Sequence, residues 1–231
     1  MRRNRSQFAG ECTMTNGQKA LLNFGMIFIF VAVSWLTGST ALASLIGGIS
    51  GLFNVWLTAQ ENIWNYPVGF VNVVAWFYMF NEAHLYADAW LQVFFGVLMA
   101  WGWYVWLTKR GNKPVRPTTH IRVEEMIFGM IVVLAGTFFW GRYLVTIRDI
   151  APYIDAFIAS TSIVAQYLLS RKVLENWYLW IAVDVVQIVL YFVKNLAPTA
   201  VVYLVFLAIC IGGLLAWKRT MLKEGERARG H

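Results

Sequence analysis

Charge is scarce in this sequence. Only 13% of its residues are Asp, Glu, Lys or Arg, whereas a soluble domain carries about 25%. The chain therefore has too little charge to solvate an ordinary folded surface. Cysteine is nearly absent. Cys12 lies in a polar arm and Cys210 inside an apolar run, a placement that argues against a mutual disulfide and matches no metal-binding spacing. The three histidines, His84, His120 and His231, fall in loops or at the terminus without ligand spacing, so no metal and no cofactor are expected. There is no phosphate-binding loop to couple transport to ATP within this chain, and no Gly-x-Ser-x-Gly elbow for hydrolysis.

What is present is apolar surface in long runs: 59% of residues are hydrophobic and 16% aromatic. Leu21–Leu36 and Val201–Trp217 contain no charge at all, and each approaches the length that spans a hydrocarbon core of ~30 Å. The pattern predicts an all-α integral membrane protein with eight spans, near 21–37, 40–58, 63–81, 85–107, 125–146, 152–170, 176–194 and 198–217. Backbone groups in lipid must be satisfied within the segment, and runs of this length are too long for the ~10-residue strands of a barrel. Residues 1–20 form a basic arm. The arm and first run resemble a signal peptide, with an Ala41-Leu42-Ala43 triplet behind them. The run is long for a signal core, however, and cleavage there would cut into the next one, so it reads as a retained helix.

The net charge of +7 does not point to nucleic acid, because the basic residues sit between apolar runs. With eight spans, all of the 19 Lys and Arg except Arg142, Arg148 and Lys194 fall on the side of the two termini, the basic loop 108–124 and the tail 218–231. The positive-inside rule places that side in the cytoplasm.

A shift of 111 residues superposes Asn65-Tyr66 on Asn176-Trp177, Phe95 on Phe206, Gly102 on Gly213 and Trp106 on Trp217. Segments 40–107 and 152–217 thus read as two three-helix repeats. The single span 125–146 between them makes the repeats parallel, and 21–37 is an extra N-terminal helix. In transporters built from repeats, substrate sits near the midplane where the halves meet.

Polar residues inside spans mark pathways by default. Trp177, Trp180, Asp184 and Gln187 recur at i, i+3, i+7 and i+10, on one helix face, where indoles and a carboxylate suit a flat cation. Trp177 also reads as an interfacial anchor, but Asp184 lies too deep for that. The counterpart span carries Asn72 and Trp76 behind Pro67 and Gly69, which are expected to loosen the helix. Asn72 could equally serve as an interhelical hydrogen bond. Gln92 and Trp103 share a face in the fourth span with Met99, and Gln166 accompanies Ser162 in the sixth.

Asn65-Tyr-Pro-Val-Gly-Phe-Val-Asn-Val, Leu85-Tyr-Ala-Asp-Ala-Trp-Leu-Gln-Val-Phe-Phe, Trp101-Gly-Trp-Tyr-Val-Trp and Glu175-Asn-Trp-Tyr-Leu-Trp together resemble the PnuC-type nicotinamide riboside transporters, over most of residues 45–220. That family's W-x-x-W-x-x-x-N/D motif matches Trp177, Trp180 and Asp184. Some members carry Asn where this chain has Asp184. The resemblance implies a 3+1+3 core related to the SWEET sugar carriers, a homotrimer in the bacterial inner membrane, and facilitated diffusion of nicotinamide riboside with trapping by cytoplasmic phosphorylation. The expected substrate contacts are the motif residues Trp177, Trp180 and Asp184, with Gln187, Asn72, Trp76, Gln92, Gln166 and Trp103 from the reading of the spans. Thiamine, or another vitamin carried by related branches, is the nearest alternative, and a sugar the next. A retinal receptor would need a deep lysine, and Lys194 lies at a span end. A membrane-embedded enzyme is the remaining rival, without a motif to support it.

Overall fold

The computed structural model describes residues 42–82, 84, 86–108, 111 and 114–229. The arm 1–20 and the expected span 21–37 lie outside the described residues. Seven helices follow in order: α1 (Leu42–Ala59), α2 (Asn65–Glu82), α3 (Tyr86–Thr108), α4 (Val123–Thr146), α5 (Pro152–Ser170), α6 (Asn176–Val193) and α7 (Ala197–Arg229).

Proline marks three of the starts. Pro67 lies in the first turn of α2, Pro152 opens α5 and Pro198 is the second residue of α7. In a first turn the missing N–H removes no helical bond. Pro67 therefore does not break its helix, contrary to the sequence expectation, and α2 runs unbroken over 18 residues.

α3, α4, α6 and α7 are long and apolar enough to cross a membrane, and the described side chains of α1 form a shorter apolar helix. α2 and α5 are more polar, and both bury polar side chains: Ser160, Thr161, Ser162 and Ser170 on α5, and Asn65 on α2. Small polar side chains permit close helix approach, and interhelical packing replaces lipid contact at such positions.

The 111-residue repeat is visible in the backbone. It carries the bounds of α2 onto those of α6, and the start of α3 onto the start of α7. The turn after α1 has Glu61 at φ 57°, and its counterpart after α5 has Lys172 at φ 56°. Both turns close alike: Asn62 N–H donates to Leu57 O and Glu61 N–H to Thr58 O, while Val173 N–H donates to Leu168 O and Lys172 N–H to Leu169 O. This is the six-to-one, five-to-two pattern that ends helices with a left-handed residue. His84 and Asn195, also 111 apart, repeat the left-handed geometry at the opposite end.

Packing closes the two triplets into a ring. α1 packs on α2, α2 on α3, α3 on α5, α5 on α6, α6 on α7 and α7 back on α1. Each contact has its counterpart under the repeat. α4 lies outside the ring and, among the described helices, packs on α5 alone, exposing Phe128, Ile131, Leu134, Phe138 and Phe139 outward. α7 does not stop where the sequence places its end at 217. It continues as helix to Arg229, 33 residues in all, so about 50 Å at 1.5 Å per residue, well beyond a ~30 Å core.

Candidate functional site

The four-residue stripe on α6 divides by depth. Trp177, in the first turn, is 1% exposed. Its ring meets Trp217 edge-to-face at 5.4 Å and lies against Gly213, where a Cβ would come within 2.5 Å of the indole. Its Nε1 has no partner among the described residues. Trp177 is thus enclosed by protein, with no open face for a ligand in this arrangement. Trp180, one turn on, is half-buried at the edge of the same core cluster.

Asp184 is 5% exposed. The thiol of Cys210 on α7 is close enough to interact with it, and its Oδ2 has no partner among the described residues. A buried carboxylate oxygen is costly to leave unpaired in an apolar setting, which suits Asp184 to a group that donates a hydrogen bond or carries positive charge. Tyr203 on α7 is close enough to interact with Asp184. It stacks on Tyr191 at 5.3 Å and leans on Phe206 at 5.9 Å.

Phe206 reaches across to α1, lying 3.8 Å from the point where a Cβ on Gly51 would stand. Gly47 and Gly51, one turn apart, let α2 approach: the indole of Trp76 lies 3.0 Å from the Cβ point of Gly47, and Asn72 Nδ2 lies 3.0 Å from that of Gly51. Asn72 Nδ2 donates to Gly47 O at 2.5 Å, so the amide N–H bridges helices. Trp76 also stacks on Phe80 at 5.6 Å.

Trp103 stacks nearly parallel on Tyr66, with centroids 6.3 Å apart, and joins Trp180, Phe95, Met99 and Cys210 in one core cluster. Gln92 on α3, Gln166 on α5 and Gln187 on α6 are half-buried. The backbone carbonyl of Gln166 accepts from Ser170 Oγ at 2.8 Å.

The sequence reading passes over three polar residues here: Cys210, Tyr203 and Asn54, whose Oδ1 lies 3.1 Å from the Cβ point of Gly69. The repeat holds the signal for two of them, since Cys210 is the counterpart of Met99 and Tyr203 that of Gln92.

Two three-helix bundles related by the 111-residue repeat and closed into a ring, with a buried carboxylate held between α6 and α7, make this a polytopic α-helical protein of the two-bundle transporter class. Comparison with known proteins gives the particular family. The sequence pattern of a family described as nicotinamide mononucleotide transporter matches residues 41–219. The chain is 27% identical over 212 residues to the nicotinamide riboside transporter PnuC of Escherichia coli (strain K12), covering 80% of this chain and 89% of that one. It is 29% identical over 181 residues to the riboflavin/roseoflavin transporter RibM of Streptomyces davaonensis, covering 76% and 84%. A solved structure, the crystal structure of the vitamin B3 transporter PnuC, superposes with a TM-score of 0.70 at 22% identity, over 90% of this chain and 93% of that one. The chain belongs to the nicotinamide mononucleotide transporter family as a PnuC-type membrane transporter, and is not an enzyme.

Proposed function

We propose that this chain carries nicotinamide riboside across the bacterial cytoplasmic membrane by facilitated diffusion, its two three-helix halves rocking to expose the site to each side in turn. The observation that carries the reading is Asp184, a buried carboxylate with an unpaired oxygen. The pyridinium of nicotinamide riboside is cationic, and the carboxylate meets either that charge or a ribose hydroxyl. Trp180 and Trp103 supply the neighbouring aromatic faces. Asn72, Trp76, Gln92, Gln166 and Gln187 are the proposed polar and aromatic contacts around them, and Trp177 joins them once the end of the bundle that encloses it opens. The mononucleotide of the family's description is disfavoured: its phosphate would need a cation, and α6 carries no Lys or Arg beside Asp184.

The basic loops and the α7 extension define the cytoplasmic end, with both termini there. Substrate is retained by phosphorylation inside the cell, and the outward apolar face of α4 serves lipid contact and a homotrimer.

A second reading is supported by the riboflavin/roseoflavin relative, in which the aromatic residues grip a larger, neutral ring. Thiamine, also a cation, is the third candidate. Titration calorimetry of the purified protein with nicotinamide riboside, riboflavin and thiamine, paired with uptake into proteoliposomes, separates them. Micromolar binding and saturable uptake of nicotinamide riboside are expected. Binding of riboflavin alone moves the assignment to the second reading, and uptake of none of the three overturns the vitamin-carrier reading.

A further inference from the structure

The turns that end α1 and α5 are equivalent under the repeat, and their left-handed residues touch each other. Lys172 Nζ lies 2.5 Å from Glu61 Oε2, a pair separated by 111 residues in sequence. A residue that contacts its own counterpart stands on the local two-fold axis relating the halves. Such a left-handed position normally takes glycine, because other side chains cost roughly 1–2 kcal/mol there. Here both turns accept that cost, and they present opposite charges.

The surroundings obey the same two-fold. Lys172 is 1% exposed, with Nζ 5.0 Å from the ring centroid of Trp106 and 5.6 Å from that of Trp217. Those two indoles are counterparts, 5.9 Å apart. Trp106 Nε1 donates to Leu169 O at 3.2 Å, and Trp217 Nε1 donates to Thr58 O at 3.1 Å. Each bond crosses from one half to the other, and each accepting carbonyl also closes its own helix-ending turn. Beside this layer lie buried polar atoms without partners among the described residues: both amide ends of Asn65, Oδ1 of Asn176, the Tyr66 hydroxyl and Trp177 Nε1. These orphans tax the closed arrangement.

We propose that the Glu61–Lys172 ion pair, with the reciprocal Trp106 and Trp217 bonds, is the latch that closes this end of the transport path. The proposal rests on the carrier reading above. When two halves rock apart, groups on their shared axis at the opening end separate most. Opening here therefore breaks one ion pair and two hydrogen bonds together, and the unpaired polar atoms beside them gain access to water in compensation. Such a layer has two discrete arrangements rather than a continuum.

The two-fold also makes the latch testable, because a lysine at position 61 would meet the same pair of indoles. Hydrogen–deuterium exchange of the turns 57–63 and 169–175 is measured on the unaltered protein, on Glu61→Lys, on Lys172→Glu and on the exchanged pair carrying both changes. Each single change is expected to speed exchange in both turns about 100-fold or more, the order produced by stranding one member of a buried pair. The exchanged pair is expected to return to within about tenfold of the unaltered protein. In proteoliposomes the single variants lose net uptake of nicotinamide riboside while still binding it by calorimetry, and the exchanged pair recovers uptake. If a reversed variant does not fold, Glu61→Gln replaces it and must loosen both turns in the same direction. An exchanged pair no better protected than the worse single variant overturns the latch, as do single variants that transport normally. Absence of uptake by the unaltered protein counts against the carrier reading alone, since the exchange measurement decides the latch without substrate.

Discussion

At the scale of single residues the decisive group is Asp184. Its burial beside the Cys210 thiol and its Oδ2, without a partner among the described residues, suit it to receive positive charge or a hydroxyl. Asp184→Asn keeps the shape and removes the charge. Hydrogen bonds to charged groups exceed neutral ones by about 1 kcal/mol or more. The variant is therefore expected to weaken nicotinamide riboside and thiamine about tenfold, and riboflavin less than threefold, by calorimetry. Equal losses for all three would make the carboxylate a structural part. A second residue-scale prediction uses neighbouring glycines as each other's control. A Cβ on Gly213 would stand 2.5 Å from the Trp177 indole, whereas one on Gly212 meets nothing within 4 Å. Gly213→Ala should destabilise by about 1–3 kcal/mol through overpacking. Gly212→Ala should be neutral or gain up to about 1 kcal/mol of helix propensity. Thermal unfolding of the two variants side by side reads the difference. This is also where sequence reading succeeds and stops. A deep carboxylate among apolar residues is legible because nothing bland explains it. The enclosure of Trp177 is not, because i, i+3, i+7 spacing fixes a face but not which end of that face a neighbouring helix covers.

At the scale of elements, the 111-residue shift rests on a handful of matched residues, yet it fixes the bounds of α2 and α6 alike, since both copies keep an Asn-aromatic start. The reading of Pro67 as a break misses because proline's effect depends on its distance from the helix start, which sequence places only to within a few residues. The continuation of α7 past Trp217 is hidden for another reason. Helix propensity carries through Lys218–Arg229 after hydropathy has ended, and hydropathy is the signal that delimits spans. A further asymmetry becomes visible only in three dimensions. The loop before α4 is stitched to the turn after α5: Thr119 N–H donates to Lys172 O at 3.1 Å, Leu174 N–H to Thr119 O at 2.9 Å, and Ile121 N–H to Glu175 Oε2 at 2.9 Å. His120 Nδ1 lies 2.8 Å from Glu175 Oε1. Glu175 holds two of these four links, so Glu175→Ala should release the loop while leaving the helices intact. Amide exchange at residues 119–122 is expected to rise about tenfold, the equivalent of one or two net hydrogen bonds, with helix content by circular dichroism unchanged. Exchange that stays at its original rate would show that the backbone bridge alone holds the strap.

At the scale of the whole molecule, the two halves are joined by α1 on α7 and α3 on α5, and the reciprocal indole bonds sit in these two contacts. The same repeat that generates the ring thus generates two equal fastenings. Trp106→Phe and Trp217→Phe each remove one cross-half donor and leave a carbonyl that keeps its turn bond, from Lys172 N–H at 2.8 Å and Glu61 N–H at 2.9 Å respectively. Each should therefore lower stability by a similar amount, about 1 kcal/mol within the usual 0.5–1.5 kcal/mol for one buried bond, plus some lost packing. Because the rings touch at 5.9 Å, the double variant should depart from the sum by 0.5 kcal/mol or more. Thermal unfolding of the three variants in one detergent gives the cycle. Similar single effects with clear coupling are what a two-fold closing layer requires. One large and one negligible effect would mean that the symmetry of the fold does not extend to its energetics, and that one half alone carries the closure.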